Sequence, residues 1–80
     1  MYEYKYITKI VDMKKLHGSV NGNPRWGICF KNEHDDLVWL RTKENSQVAY
    51  ECTKNMIGNV YTIVIQTIRG ESQIVSITAR

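Results

Sequence analysis

Residues 59–79 read NVYTIVIQTIRGESQIVSITA, and this stretch predicts a β-hairpin. Both halves are rich in valine, isoleucine and threonine, whose branching at Cβ favours extended over helical backbone. The RGES segment between them contains Gly70, which can adopt a positive φ without steric cost. We therefore expect two antiparallel strands joined by a tight turn at RGES.

Three segments upstream also show the period-two alternation of strands. The first, YEYKYITKI at 2–10, places tyrosines on one face and lysines on the other, and it would continue to Leu16. Because that length exceeds the usual ~5 to 6 residues, we expect a bend or bulge near Asp12 to Lys14. The next two are RWGICFK at 25–31 and DLVWLRT at 36–42, joined by the polar turn NEHDD.

The approach to the second strand, NGNP, has the composition of a turn. Asn21-Gly22 makes a positive φ inexpensive, and Asn23 is restricted to extended backbone because it precedes Pro24. A strand can begin at Pro24 because its first residue can lack an N–H donor. Backbone sterics alone explain this motif, so it indicates no function.

Residues 45–57, NSQVAYECTKNMI, break the alternation. Val48, Cys52 and Met56 recur at helical spacing, Asn45 or Ser46 can cap the start, and Gly58 can end the segment. We expect one or two helical turns here.

The order strand, strand, strand, short helix, strand, strand predicts an all-β single domain spanning 1–80. It matches a five-stranded antiparallel OB-like barrel, in which the helix lies between the third and fourth strands and a long, bent first strand pairs on both sides. An SH3-like barrel and a plain twisted meander are also compatible with the pattern.

Two short motifs carry a resemblance to a protein family. The pattern NGNPRW at 21–26, followed by RTKENSQVAY at 41–50, resembles small uncharacterised proteins of bacteriophages and their bacterial hosts. The resemblance implies a mobile-element origin, and the family has no settled activity to carry over.

Composition favours a soluble, cytoplasmic protein. The net charge is +3, and no block of like charges marks a nucleic-acid-binding tail. No apolar run approaches the ~18 residues of a membrane span, and the N-terminus lacks the features of an export signal. Cys29 and Cys52 have no zinc-like spacing, so we expect reduced, buried thiols.

The sequence gives little support for catalysis, and we expect no enzymatic activity, cofactor or metal site. His17 and His34 are the only histidines, and Cys29 with His34 would place a nucleophile in a strand and its base in the adjoining turn. The acidic cluster around His34 is more typical of a solvated turn than of a metal site, since neighbouring turn residues seldom converge on one ion. That cluster consists of Glu33, His34, Asp35 and Asp36.

Binding of nucleic acid, single-stranded in particular, is the leading functional hypothesis. Proteins of this kind combine cations for phosphates with aromatic platforms for bases, and OB-folds use strands 2 and 3 for the purpose. Trp26 and Phe30 share a strand face with Ile28, which favours burial of both aromatic side chains in the core. The remaining candidates are Arg25, Lys31, Trp39, Arg41, Lys43 and Arg69.

The alternative hypothesis is an inhibitor or adaptor that binds a host or phage protein. An exposed strand edge or a tyrosine-rich face would provide the contact, and homodimerisation through an edge strand is a related hypothesis. The candidate residues are Tyr2, Tyr4, Lys5, Tyr6 and Lys9.

Overall fold

A computed structural model describes residues 2–16, 25–43 and 47–79. The strands are β1 (Tyr2–Leu16), β2 (Arg25–Lys31), β3 (Leu37–Thr42), β4 (Val60–Ile68) and β5 (Glu71–Ala79). A short helix, α1 (Val48–Glu51), and a 3-10 turn (Lys54–Met56) lie between β3 and β4. The prediction of a mainly β chain with one short helix at this place is confirmed. The predicted NGNP turn, His17 and the predicted helix caps Asn45 and Ser46 lie outside the described residues.

The long first strand exchanges partners near its middle. Residues 2–9 pair antiparallel with β4, whereas residue 10 and residues 12–16 pair antiparallel with β2. The register shifts between Ile10 and Asp12, so the irregularity begins just before the predicted segment. A bulge bends a strand locally and increases its twist, which allows one strand to serve two sides of a small closed sheet.

The sheet closes in the order β1-β2-β3-β5-β4, with β4 returning to β1. Every neighbouring pair is antiparallel except β3 and β5, which run parallel. This parallel seam has only two residue pairs, Arg41 with Gln73 and Thr42 with Ile74. One further backbone hydrogen bond, from Lys43 N to Ile74 O at 2.8 Å, extends it.

The β4–β5 hairpin turns at Arg69 and Gly70, as predicted. Both residues have a positive φ, 54° at Arg69 and 80° at Gly70, as a two-residue type I′ turn requires. Gly70 adopts a positive φ without steric cost. In Arg69 the Cβ atom makes the same conformation unfavourable.

Apolar side chains from the described strands and from α1 fill the barrel. Trp26 is only 9% exposed and Phe30 is fully buried, which confirms the prediction that both belong to the core. Val48 and Cys52 are buried and Met56 packs against the same cluster, as their helical spacing predicts. The other core residues are Ile10, Met13, Ile28, Ala49, Ile63, Ile65, Ile74 and Ile77. Within the described ranges, no helix has the length and apolar character needed to cross a membrane.

Candidate nucleic-acid interface

The outward surface of β2 and β3 is organised around Trp39. Trp26, Ile28 and Phe30 of β2 point into the core. The alternate residues of that strand therefore face outward. Trp39 lies opposite Cys29 in the ladder, and a Cβ atom built on Gly27 would lie 3.6 Å from Trp39 Cε3. The indole therefore lies against the strand where glycine provides no side chain. It is nevertheless 52% exposed, so it presents a broad apolar surface to solvent.

We call this surface the Trp39 face. Its members are the outward residues of the two strands, namely Arg25, Gly27, Cys29, Lys31, Leu37, Trp39 and Arg41.

Two arginines of the Trp39 face share one carboxylate. Arg41 Nη2 lies 2.5 Å from Glu71 Oε1, and Arg25 Nη2 lies 3.9 Å from the same oxygen. A hydrogen bond from Gln73, followed by the hydrogen bond from Arg41, holds the pKa of Glu71 below its usual value. Glu71 is therefore ionised at neutral pH. One carboxylate cannot neutralise two guanidinium groups, so this end of the face keeps a positive excess.

The two arginines differ in how available they are to a ligand. Arg25 Nε donates to the backbone oxygen of Thr42 at 3.1 Å, and its side chain is only 16% exposed. Thr42 is itself buried, and its Oγ1 accepts a hydrogen bond from Trp26 N. Arg25 therefore ties the start of β2 to the end of β3. The Arg41 side chain is about half exposed and can reach a ligand at the surface.

The remaining predicted cations lie at the margins of this surface. Lys31 ends β2 and forms an exposed ion pair with Asp35 at 3.5 Å. Lys43 follows β3 directly and is half-buried, and Arg69 is exposed in the β4–β5 turn, two residues before Glu71. The structure thus brings Arg25, Trp39 and Arg41 together and leaves the three others at the edges.

The tyrosines of β1 form a separate feature. Ring centroids lie 6.5 Å apart from Tyr2 to Tyr4 and from Tyr4 to Tyr6, and 6.1 Å apart from Tyr6 to Phe30. Tyr2 and Tyr4 are exposed and Tyr6 is half-buried. Lys5 and Lys9 are also exposed, but they point to the opposite side of the strand, so the five predicted partner-binding residues do not form a single patch.

A cleft of about 190 Å³ opens beside this tyrosine ladder and is lined from every strand of the barrel. Sequence reasoning did not identify it, because its walls come from five segments whose juxtaposition depends on barrel closure. The lining residues are Tyr4, Tyr6, Phe30, Asn32, Val38, Leu40, Ile65 and Ser72.

No protein-family model, curated protein or solved structure matches the chain.

Both cysteines lie in the interior of the protein. Cys29 belongs to the Trp39 face but is buried, and desolvation, followed by the nearby Asp12 carboxylate, raises its pKa. Burial, with a smaller effect of Glu51, raises the pKa of Cys52 to about 11. Both thiols are free and buried, as predicted, and are protonated at neutral pH.

The β2–β3 turn is an exposed polar turn, as predicted. Asn32 Oδ1 accepts hydrogen bonds from the backbone nitrogens of His34 and Asp36, at 2.9 and 3.0 Å. These bonds fix the backbone while the acidic side chains and His34 point into solvent. In the part of the chain that the structure describes, no three His, Cys, Asp or Glu side chains cluster as metal ligands would.

Proposed function

We propose that this chain is a non-catalytic, cytoplasmic module that binds single-stranded nucleic acid across the Trp39 face. The observation that carries the proposal is the position of Trp39, which is half-exposed in the middle of β3 beside Gly27 and on the same face as Arg41. An exposed indole held against a strand by its own packing is preorganised for stacking, since little side-chain freedom remains to be lost on binding.

Single-stranded ligands suit this geometry better than duplexes. A base can stack on Trp39 only if its π-face is free, whereas bases in a duplex already stack on their neighbours. Arg41 on one side and Lys31 on the other can then neutralise phosphates of the same strand, with Arg69 and Lys43 extending the path. Leu37, which is exposed on β3, adds apolar surface beside the platform.

Glu71 serves this arrangement by orienting Arg41. The charge-assisted contact at 2.5 Å restrains a long side chain that would otherwise sample many rotamers. A phosphate that approaches the guanidinium from the solvent side can bind without displacing Glu71, because a guanidinium carries five N–H donors.

Fluorescence anisotropy with labelled oligo-dT and oligo-U tests the proposal. We expect Trp39→Ala to weaken binding by roughly 1–3 kcal/mol and Trp39→Phe to retain part of the affinity, because stacking depends on an aromatic face. Arg41→Ala should weaken binding and reduce the slope of log K against log salt by about 0.7. Lys54→Ala is the matched control, since Lys54 is an exposed cation on the 3-10 turn. Absence of binding at low salt would overturn the proposal.

The tyrosine ladder supports a second candidate function, binding to a host or phage protein as an inhibitor or adaptor. Tyr2 is 68% exposed although it stacks on Tyr4, and exposed tyrosines beside a cleft are typical anchors at protein interfaces. A specific partner that is retained from host lysate after nuclease treatment, and lost with Tyr2→Ala and Tyr4→Ala, would favour this function.

A further inference from the structure

The N-terminal half of β1 has an open edge. On one side residues 2–9 pair with β4, but on the other side the β2 ladder starts only at the pair Ile10–Phe30. Thr8 Oγ1 donates to Lys31 O at 3.1 Å, which ties this point of β1 to the end of β2. Within residues 2–16, 25–43 and 47–79, no strand pairs with Tyr2–Ile7 along this side. An open edge of this length can receive another strand.

The backbone groups that face the open edge can be assigned from Ile10. Ile10 N donates to Asn59 O at 3.0 Å, and Gly58 N donates to Ile10 O at 2.8 Å, so both Ile10 groups point to the β4 side. The ladder with β4 has no register shift over residues 2–9. Because backbone groups alternate along a strand, Glu3 and Lys5 direct their N–H and C=O groups to the open edge, whereas Tyr4 does not.

We propose that a second copy of this chain occupies the edge, with the two β1 strands antiparallel about a two-fold axis at Tyr4. This register places Glu3 of each copy directly opposite Lys5 of the other, which gives two opposite-charge pairs and four backbone hydrogen bonds. On the other face of the strand, Tyr4 meets Tyr4 and Tyr2 meets Tyr6. The two tyrosine ladders then form one continuous layer, and exposed aromatic surface is covered.

Charge and existing contacts disfavour the neighbouring registers. A two-fold axis at Lys5 would place two lysines directly opposite each other, and one at Glu3 would do the same with two glutamates, both of which destabilise a ladder. An axis at Tyr6 would require Thr8 and Lys9 to pair along the edge, where Thr8 already contacts the end of β2. Self-complementarity of charge therefore selects the second copy as the occupant and Tyr4 as the axis.

Charge reversal tests the interface in the absence of nucleic acid. Sedimentation velocity of the full chain from about 1 µM to about 1 mM should show a concentration-dependent dimer. We expect Glu3→Lys and Lys5→Glu each to raise the dimer dissociation constant roughly 3- to 30-fold, since each variant opposes like charges twice. The double variant should recover wild-type association, because the pairs are then reversed but complementary. An equimolar mixture of the two single variants should form a heterodimer for the same reason.

Two cysteine variants check the register, and Lys9→Glu is the control for charge. Tyr4→Cys should form an intermolecular disulfide under mild oxidation, because directly opposed residues in a non-hydrogen-bonded pair have Cα atoms about 4.5 Å apart. Tyr2→Cys should not, since Tyr2 opposes Tyr6. Lys9→Glu should leave association unchanged. These positions are exposed, and circular dichroism shows whether each variant folds.

Three results would overturn the proposal. They are a chain that stays monomeric throughout the concentration range, a dimer that is indifferent to both charge reversals, and a dimer weakened by Lys9→Glu as strongly as by Lys5→Glu. Binding of a foreign extended peptide to a monomeric chain would assign the edge to another protein.

Discussion

Arg41 Nη2 lies 2.5 Å from Glu71 Oε1, across the seam where β3 and β5 run parallel. The seam has two ladder pairs. The ion pair therefore adds a side-chain contact where the barrel wall has a short ladder. The same oxygen faces Arg25 at the start of β2. One carboxylate therefore contacts both arginines of the Trp39 face at the seam where the barrel closes.

This relationship predicts an acid-sensitive contribution to stability. The folded-state pKa of Glu71 is lowered, so its contribution is present above the unfolded pKa of a glutamate and is lost as the pH falls through the folded value. Glu71→Gln should lower the urea midpoint at pH 7, and the difference from wild type should vanish in acid. Urea titrations of both proteins, from neutral to acidic pH, measure this difference in midpoint. Glu33→Gln, in the exposed β2–β3 turn, is the control, and an equal pH-dependent loss there would contradict the assignment.

Burial of Cys52 predicts the opposite dependence on pH. Its folded-state pKa is raised to about 11 from an ordinary value of 9.0. The protonated thiol is therefore favoured in the folded state, and this contribution is present below about pH 9 and is lost as the pH rises toward 11. Stability of wild type relative to Cys52→Ala should decrease over that interval. Denaturant melts at alkaline pH measure the change, and a constant difference would show that the pKa of the Cys52 thiol is the same in the folded and unfolded chains.

Two isoleucines three residues apart on β1 should respond very differently to truncation. Ile10 is fully buried at the point where β1 exchanges partners, whereas Ile7 is 63% exposed. Ile10→Ala should cost about 2–5 kcal/mol of unfolding free energy, and Ile7→Ala should change it by less than about 0.5 kcal/mol. Chemical denaturation compares the two. If Ile10→Ala does not fold, Ile10→Val should still cost about 0.5–1.5 kcal/mol.

The sequence predicted the fold where local preference and tertiary structure agree. The β4–β5 hairpin has β-branched strands around a glycine turn, and Trp26 could be assigned to the core because it alternates with other large apolar residues. The orientation of β3 could not be derived, since Leu37, Val38, Trp39 and Leu40 are all apolar and show no polar face. Which side holds Trp39 depends on the ladder with β2.

Contacts across the seam lay beyond sequence reasoning for a different reason. Arg41 and Glu71 are 30 residues apart and meet only through the parallel pairing of β3 with β5. Nothing local to RGES indicates that its glutamate holds an arginine of β3. The same applies to the cleft beside Tyr4 and Tyr6, whose opposite wall comes from β3.

Arg69 provides a prediction in which stability and binding change in opposite directions. Its φ of 54° is unfavourable for a residue with an ordinary side chain, whereas asparagine tolerates this region and Asn-Gly is a preferred type I′ turn. Arg69→Asn should therefore stabilise the chain by about 0.5–1 kcal/mol and raise Tm by about 2–8 °C. The same change removes a cation beside the proposed path of the nucleic-acid strand, so affinity for oligo-dT should fall modestly and the salt dependence should weaken.

Arg69→Lys separates the two effects, since it retains the charge and the strain and should leave both Tm and affinity near wild type. Thermal melts and anisotropy titrations on the three proteins provide the comparison. An unchanged affinity for Arg69→Asn would exclude Arg69 from the interface while leaving the role of Trp39 to its own test.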